Sequence, residues 1–220
     1  MKNKLHYNTV TLQLLEVLKE LMQAPELETF RLVGGTALSL QRGHRLSVDI
    51  DLFTDALYGS INFDAIDALL RKRYPYVDTS NYHSETGMGR SYFIGSDKNE
   101  CIKLDLFYTD AFIRPVLLAD GIRLASLEEI VAMKMDVVLR GGRKKDFWDL
   151  HDLTDDYSFE QMLALHQERY PYIHDRKLLK KNFVVFENAD GDFDPVCLKQ
   201  LYWEVIKLDL IDFAAAKKGE

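Results

Sequence analysis

The stretch from Leu32 to Phe53, which reads LVGGTALSLQRGHRLSVDIDLF, places the strongest constraint on how this chain folds. A short apolar run ends at the glycine pair Gly34-Gly35, and residues 36–41 predict a brief helix after it. Residues 47–53 then alternate between apolar and acidic or polar side chains, a period typical of a half-buried strand. This order of strand, glycine turn, helix and strand predicts an α+β fold.

The remaining hydrophobic periodicity divides the chain into two regions. Four further elements are predicted in the first region, namely helices over residues 10–22 and 63–74 and strands over residues 90–95 and 101–108. Ser126 and Glu129 then form a capping-box signature, after which nearly all of the chain has helical period. The helices predicted there run from residue 127 to Gly141-Gly142 and over residues 144–155, 159–168 and 198–215. We therefore expect a first lobe with a small mixed sheet over residues 1–125 and a helical lobe over residues 126–220.

Composition excludes several classes of protein. The chain has 220 residues, 47% hydrophobic and 29% charged, which is typical of a globular protein and not of a disordered or collagen-like one. Its net charge of −7 argues against a protein that coats nucleic acid nonspecifically. The two cysteines, Cys101 and Cys197, have no metal-ligand or disulfide-framework spacing, and no apolar run is long enough to span a membrane. We expect a cytoplasmic protein without a membrane partner.

The glycine pair is a candidate phosphate site. Gly34 and Gly35 let the backbone approach an anion closely, and the N-terminus of the following helix offers unpaired N–H groups and a favourable dipole. A nucleoside triphosphate fits such an arrangement. A lone glycine pair is more often a simple tight turn, so this interpretation depends on the residues that follow it.

Acidic residues on two predicted strands supply candidate metal ligands. Asp49 and Asp51 are two residues apart on one strand, which places their side chains on one face about 6.6 Å apart. Asp105, on the strand over residues 101–108, joins them if the two strands pair, because paired strands lie about 4.8 Å apart. Carboxylates bind Mg²⁺ or Mn²⁺, which neutralise phosphate charge and align an attacking hydroxyl in nucleotidyl transfer. Alternatively, Asp49 and Asp51 form the solvated face of an edge strand.

Two charged residues fall on helical faces that are expected to be buried. Lys134 lies near the centre of the apolar stripe of the helix after Ser126, and Asp146 lies on the inward face of the next helix. Because buried charges need a partner or a ligand, we expect Lys134 to reach phosphate and Asp146 to position the acceptor hydroxyl or that lysine. The alternative is a structural ion pair between the two helices. The role of Asp149 stays open, because a carboxylate near a helix start also interacts with the helix dipole.

Basic residues cluster at two places in the second region. One cluster surrounds Gly141-Gly142 and the other lies farther along the chain; they comprise Arg140, Arg143, Lys144 and Lys145, and Arg176, Lys177, Lys180 and Lys181. In a chain of net negative charge, basic clusters beside a nucleotide site would guide the phosphates of an RNA acceptor. The alternative is an ordinary solvated surface.

Together these motifs resemble a known family. The glycine pair, followed by Asp49-Ile50-Asp51 and a later strand aspartate, is similar to the polymerase β-like nucleotidyltransferase superfamily. A narrower resemblance, to the AbiEii/AbiGii nucleotidyltransferase toxin family, covers residues 28–155. It is carried by Gly-Gly-Thr-Ala-Leu at 34–38, His-Arg-Leu-Ser-Val-Asp-Ile-Asp-Leu-Phe at 44–53, Lys134, and Lys-Asp-Phe-Trp-Asp-Leu at 145–150.

The resemblance implies a polymerase β-like lobe, a helical lobe that completes the nucleotide site, a divalent metal, a nucleoside triphosphate, and a toxin opposed by a separate antitoxin. Carried over by position, the phosphate would be held by Gly34, Gly35 and Thr36, the metal by Asp49 and Asp51, and both would be flanked by Arg45 and Ser47. We therefore predict a metal-dependent nucleotidyltransferase that moves a nucleoside monophosphate to an acceptor such as tRNA or another RNA. The competing hypothesis is a noncatalytic nucleotide-binding or partner-binding module on the same fold.

Overall fold

The chain folds as an α+β structure around one mixed sheet, in a computed structural model that describes residues 4–79 and 87–216. The strands are β1 Arg31–Leu32, β2 Ile50–Thr54, β3 Tyr76–Asp78, β4 Gly89–Gly95, β5 Cys101–Tyr108, β6 Leu117–Ala119 and β7 Ile122–Leu124. The helices are α1 Leu12–Met22, α2 Gly34–Arg42, α3 Phe63–Arg73, α4 Leu127–Leu139, α5 Lys144–Leu153, α6 Phe159–Arg169, α7 Arg176–Asn182, α8 Glu187–Asp190 and α9 Trp203–Ala215.

The strands that carry the candidate aspartates are neighbours at the centre of the sheet. In the described residues the sheet has seven strands in the order β3-β4-β5-β2-β1-β7-β6. β2 is parallel to β5 and antiparallel to β1, and its register with β5 sets Asp51 directly beside Asp105. The condition under which Asp105 joins the other two aspartates, that these strands pair, is therefore met.

Side chains alternate in burial along β2 and β5. One face of the two strands packs into the core, and the other face lies beside a cavity. Ile50 and Leu52 of β2 are buried, whereas Asp51 and Phe53 are half-buried on the opposite face. β5 follows the same alternation over its whole length. The aromatic rings of Phe53 and Phe107 meet edge to face on the cavity side, 6.1 Å apart.

The helix α4 connects the sheet to the helices that follow it. The Ser126 hydroxyl accepts a hydrogen bond from the Glu129 N–H and so caps the helix start. α4 packs against α2 on one side and against α5, α6 and α7 on the others. Of the helices in the described ranges, none has both the length and the apolar surface that crossing a membrane requires.

Several predicted boundaries differ from the structure. Helix α2 begins at Gly34 and not at residue 36, and β2 begins at Ile50, so that Asp49 lies just before the strand. The α+β class and the mixed sheet are confirmed. Every strand in the described ranges lies before residue 125, which agrees with the expected organisation, while the division into two lobes at that point stays a prediction.

Candidate active site

A cavity of about 320 Å³ lies between the start of α2, the half-buried face of β2 and the helices α4 and α5. Most of the candidate residues line this active-site cavity: Gly34, Gly35, Arg45, Ser47, Asp49, Asp51, Lys134 and Asp146. Thr36 and Asp105 are not among its lining residues. The fold thus gathers residues from three separate stretches of the chain into one place.

The glycine pair lies where α2 meets the acidic strand. Gly34 has a φ of +67°, and a Cβ at this position would lie 2.7 Å from Asp51 Oδ2. A Cβ on Gly35 would collide with the Arg45 guanidinium. The residue before the helix, Val33, has no polar side chain to cap the first turn, so the turn presents bare backbone N–H groups. Glycine at both positions therefore keeps the helix N-terminus close to the acidic strand and open to an anion.

Thr36 and Ser47 hold the backbone around this helix start. Thr36 is buried, and its hydroxyl hydrogen-bonds both the Ser47 hydroxyl, at 2.8 Å, and the main-chain carbonyl oxygen of Asp49. These bonds tie α2 to the segment that leads into β2. We infer that Thr36 supports the site through this segment, while Ser47 reaches the cavity itself.

A glycine substitution separates the strain at this turn from its effect on the site. Gly34→Ala is expected to cost about 1–2 kcal/mol because φ is positive, and also to lower transfer because its Cβ would displace the Asp51 carboxylate. Gly121→Ala is the matched control, since Gly121 has a φ of +80° with open space around it. Thermal unfolding and transfer rates are measured for both variants. Equal transfer rates in the two would contradict a role for Gly34 at the site.

The three candidate metal ligands have different surroundings. Asp49 Oδ2 lies 3.8 Å from the Lys145 amino group. Asp105 Oδ2 accepts a hydrogen bond from the Lys103 amino group, whereas Asp105 Oδ1 is buried and has no hydrogen-bond partner among the described residues. Burial, and then the charges of Asp105 and Asp49, raise the pKa of Asp51 to about 6. The negative charge of these carboxylates is thus only partly compensated by the protein.

The donor chemistry at this face fits a hard divalent cation. In the part of the chain that the structure describes, no three His, Cys, Asp or Glu side chains are arranged to hold a metal ion. Carboxylate oxygens are nevertheless the ligands that Mg²⁺ and Mn²⁺ prefer, and Asp105 Oδ1 is a buried acceptor without a donor. Metal binding by Asp49, Asp51 and Asp105 stays a prediction that these features support.

Lys134 belongs to a buried ion cluster at the cavity wall. Its amino group lies 2.7 Å from Asp146 Oδ1 and 2.6 Å from Asp149 Oδ2. Although burial alone would lower it, the charges of Asp149 and Asp146 raise the pKa of Lys134. The ion pair considered as the alternative is therefore present, and it includes Asp149 as well. Because an ammonium group has three N–H donors, two such bonds leave one donor for the cavity that Lys134 also lines.

Asp149, whose role the sequence left open, is the centre of this cluster. It is fully buried and accepts hydrogen bonds from Arg45 Nε at 2.6 Å and Arg45 Nη2 at 2.8 Å, and its Oδ1 lies 2.7 Å from His44 Nε2. Although burial alone would raise it, Lys134 and Arg45 hold the pKa of Asp149 well below its ordinary value. Arg45, expected to flank the nucleotide, is thus held by Asp149, and its Nη1 donates a hydrogen bond to the Leu46 carbonyl oxygen at 2.9 Å. The residue also lines the cavity.

A substitution at Lys134 distinguishes its two roles. Lys134→Met is expected to destabilise the fold by about 3 kcal/mol, because Asp146 loses an ion pair while Asp149 keeps Arg45 and His44. If Lys134 also reaches phosphate, the folded fraction has a lower specific activity. Chemical unfolding and a transfer assay on the same samples test this, with the exposed Lys72→Met as control. A destabilised variant with normal specific activity would reject Lys134 as a site residue.

The first basic cluster divides between the cavity and the protein interior. Arg140, Arg143 and Lys145 line the active-site cavity. Lys144 does not: it is buried, and its amino group donates hydrogen bonds to the Asp192 carbonyl oxygen and to Asp194 Oδ1. Counting Lys144 as part of a surface cluster was wrong, because a loop nearly fifty residues later in the chain folds over it.

The second basic cluster is partly neutralised. Arg176 and Lys180 both pair with the carboxylate of Glu160, whereas Lys177 and Lys181 are exposed on α7. None of the four lines the active-site cavity. Guidance of RNA phosphates by this cluster stays a prediction without structural support.

Several known proteins are similar to this chain in sequence or in structure. A relative from Aquifex aeolicus (strain VF5), the protein aq_aa25, is 29% identical over 210 residues, which cover 87% of this chain and 89% of that protein. JHP933 from Helicobacter pylori has a similar structure, with a TM-score of 0.57 and 22% identity over 92% of this chain and 88% of the other. MenT4, the nucleotidyltransferase toxin Rv2826c of Mycobacterium tuberculosis H37Rv, superimposes with a TM-score of 0.53 and 14% identity over 93% and 84% of the two chains.

The two structural matches show a shared fold, and the sequence match extends further. Residues 16–215 match the family described as nucleotidyl transferase AbiEii toxin of type IV toxin–antitoxin systems. This range contains the glycine pair, both aspartate strands and the whole ion cluster around Asp149. The resemblance carried by the motifs is thereby confirmed: the chain belongs to the AbiEii family of nucleotidyltransferase toxins.

Proposed function

We propose that this chain transfers a nucleoside monophosphate from a nucleoside triphosphate to an acceptor hydroxyl, with Mg²⁺ or Mn²⁺ as cofactor. The observation that carries this proposal is the meeting of Gly34 with Asp51, which brings an uncapped helix N-terminus against paired acidic strands. Neither feature is informative alone, but an anion site directly beside carboxylates suits a triphosphate bound with a cation. The membership of the family supports the same reaction type.

Each part of the site has a distinct task in this reaction. The backbone N–H groups of Gly34 and Gly35 bind the phosphates, and Ser47 and Arg45 border them. Asp49, Asp51 and Asp105 would hold the divalent cation, which supplies charge neutralisation at the phosphates when bound. Residues of α4 and α5 close the opposite wall of the cavity.

Lys134 and Asp146 complete the site from the helical side. Lys134 stabilises negative charge on the phosphates with its remaining N–H donor, and Asp146 orients the lysine. The acceptor oxygen forms a bond to the α-phosphorus while the bond to the bridging oxygen breaks. Pyrophosphate leaves, and the proton of the hydroxyl passes to solvent.

Beyond the reaction type, we propose that the acceptor is an RNA and that a separate antitoxin protein is a partner. Arg140, Arg143 and Lys145 line the cavity, and cations beside an active site favour an acceptor that carries phosphates. The family is described as the toxin of type IV toxin–antitoxin systems, and we extend that role to this chain in a cytoplasmic setting. Growth arrest on expression, relieved by a separate protein, is the corresponding cellular property.

Pyrophosphate release distinguishes the enzyme from a binding module. The protein is incubated with each nucleoside triphosphate, Mg²⁺ and total cell RNA, and calorimetry measures nucleotide binding in parallel. An enzyme releases pyrophosphate only when the metal is present, whereas a binding module retains the nucleotide without release. Binding of a triphosphate with no release under any of these conditions would favour the module.

A further inference from the structure

A second cavity adjoins the active-site cavity at the end of β2. It has a volume of about 520 Å³, and we call it the Tyr58 cleft. The two cavities share the lining residues Phe53, Asp136 and Tyr170. The two cavities therefore lie next to each other at these three side chains, and we refer to them together as the groove. Nothing in the reaction described above uses the far end of this groove.

The direction of β2 relates the Tyr58 cleft to the phosphates. The proposed phosphate-binding residues, Gly34 and Gly35, lie on one side of Asp51, next to Arg45 and Ser47. Phe53 lies two residues farther along the strand in the other direction, about 6.6 Å away. Asp55, just past the end of β2, lines only the Tyr58 cleft among these two cavities. The cleft thus opens on the side of the carboxylates that lies away from the helix N-terminus.

The geometry of phosphoryl transfer indicates which substrate would approach from this side. In such reactions the attacking and leaving oxygens lie roughly in line on opposite sides of the phosphorus. If the terminal phosphates lie at Gly34 and Gly35, pyrophosphate leaves toward α2, and the acceptor hydroxyl must approach from the Phe53 side. This step rests on the proposed function. It places the end of the acceptor in or at the mouth of the Tyr58 cleft.

The lining of the cleft shows what part of an acceptor it fits. Tyr58 is 66% exposed, and its ring lies 5.4 Å from that of Tyr108. The exposed Leu57 and Met88 add further apolar surface. Asp55 and Asp110 supply acidic acceptors, whereas Asp136 is buried and paired with Arg140. No Lys or Arg is among the described residues that line the cleft. Phosphate groups find no cation there, whereas a nucleobase offers a π-face for stacking and N–H donors for carboxylates.

A cation lies at the junction of the two cavities instead. Arg140 lines the active-site cavity and pairs with Asp136, which lines both. A phosphate next to a base held in the cleft would come within the field of this guanidinium. The arrangement of a stacking wall with a cation at its entrance is one that single-stranded nucleic acids bind.

We propose that the Tyr58 cleft is the acceptor subsite and that it binds the terminal nucleobase of a single-stranded RNA by stacking on Tyr58. The terminal ribose then lies near Phe53, with its hydroxyl directed toward the carboxylates. A serine or threonine acceptor would enter the same groove, but its side chain has no ring to stack on the aromatic wall. Tyr58 is a binding residue in this proposal and takes no part in the chemical step.

Fluorescence of a stacked base tests this subsite without any need for transfer. The probe is a single-stranded RNA trinucleotide with 2-aminopurine at its 3′ end, whose emission is quenched when the base stacks. Titration with the full-length protein is expected to quench the probe, and Tyr58→Ala is expected to weaken binding about 10- to 100-fold. Tyr58→Phe, which keeps the ring, is expected to bind as the unsubstituted protein does. Tyr202→Ala is the matched control, because Tyr202 is 73% exposed and lines neither cavity.

Transfer kinetics provide a second readout. In Tyr58→Ala, the concentration of total cell RNA that half-saturates pyrophosphate release is expected to rise about 10- to 100-fold, as the probe affinity falls. The KM for the nucleoside triphosphate is expected to stay unchanged. Equal probe affinity in Tyr58→Ala and the unsubstituted protein would overturn the subsite. So would displacement of the probe by a serine-rich peptide at similar concentration. Quenching that depends on Tyr58, with no pyrophosphate release from any triphosphate, would support the subsite while contradicting the proposed function.

Discussion

Replacing Asp51 with asparagine is expected to remove nucleotidyl transfer and leave the fold intact. The side chain lies on β2 between Gly34 and Asp105, where an amide cannot supply the anionic oxygen that a divalent cation requires. A metal contributes several kcal/mol of charge stabilisation in the transition state, so we expect a loss of at least about a hundredfold in rate. Steady-state pyrophosphate release measures this loss.

Stability shows whether the loss comes from the site or from unfolding. Asp51 is surrounded by the charges of Asp105 and Asp49, so a neutral amide is expected to leave the thermal unfolding temperature unchanged or to raise it. Asp212→Asn makes the same chemical change at an exposed position on α9 and serves as the control. Transfer within tenfold of the unsubstituted protein, in a folded Asp51→Asn variant, would exclude Asp51 as a metal ligand.

Replacing Asp149 with asparagine is expected to have the largest effect on stability. Asp149 is the fully buried partner of Lys134, Arg45 and His44, and its loss leaves two buried cations short of negative charge. Breaking a buried ion pair on one side costs about 3–5 kcal/mol. Chemical unfolding of Asp149→Asn is expected to show a loss of this size, larger than that of Lys134→Met. A loss below about 1 kcal/mol would mean that the cluster is not structural.

The same cluster sets a dependence of stability on pH. Because the pKa of Asp149 is lower in the folded protein than its ordinary value of 3.8, ionised Asp149 stabilises the fold above that value. The stabilisation is lost as the pH falls through the folded-state pKa. The difference in unfolding free energy between Asp149→Asn and the unsubstituted protein is therefore expected to be constant near neutral pH and to shrink in acid. A difference that grows as the pH falls would contradict this assignment.

The sequence predicts the acidic half of the site well because local patterns determine it. The alternation over residues 101–108 matches the bounds of β5. Asp49 and Asp51, two residues apart, line the same cavity, as their spacing predicts. Pairing of β2 with β5 is left as a condition by the sequence. Its register, with Asp51 beside Asp105, depends on packing of the whole sheet and is visible only in the structure.

The helical half is less predictable because its contacts join distant segments. Helical periodicity identifies Lys134 and Asp146 as buried, but periodicity within a helix does not give the distance between α4 and α5. Asp149 therefore could not be assigned as the shared partner of Lys134 and Arg45, although the stretch at 145–150 points to it. The burial of Lys144 under the loop containing Asp192 has no local signal at all.

The fate of the α-phosphate tests the central claim most directly. The protein is incubated with Mg²⁺ and total cell RNA, and each nucleoside triphosphate carries a radioactive label at either the α- or the γ-phosphate. If the protein is a nucleotidyltransferase, the α-label is expected to enter the acceptor and the γ-label to leave in pyrophosphate. With Asp51→Asn, neither labelled product is expected to form. Label from the γ-position in the acceptor, or α-label transferred equally well by Asp51→Asn, would contradict the account.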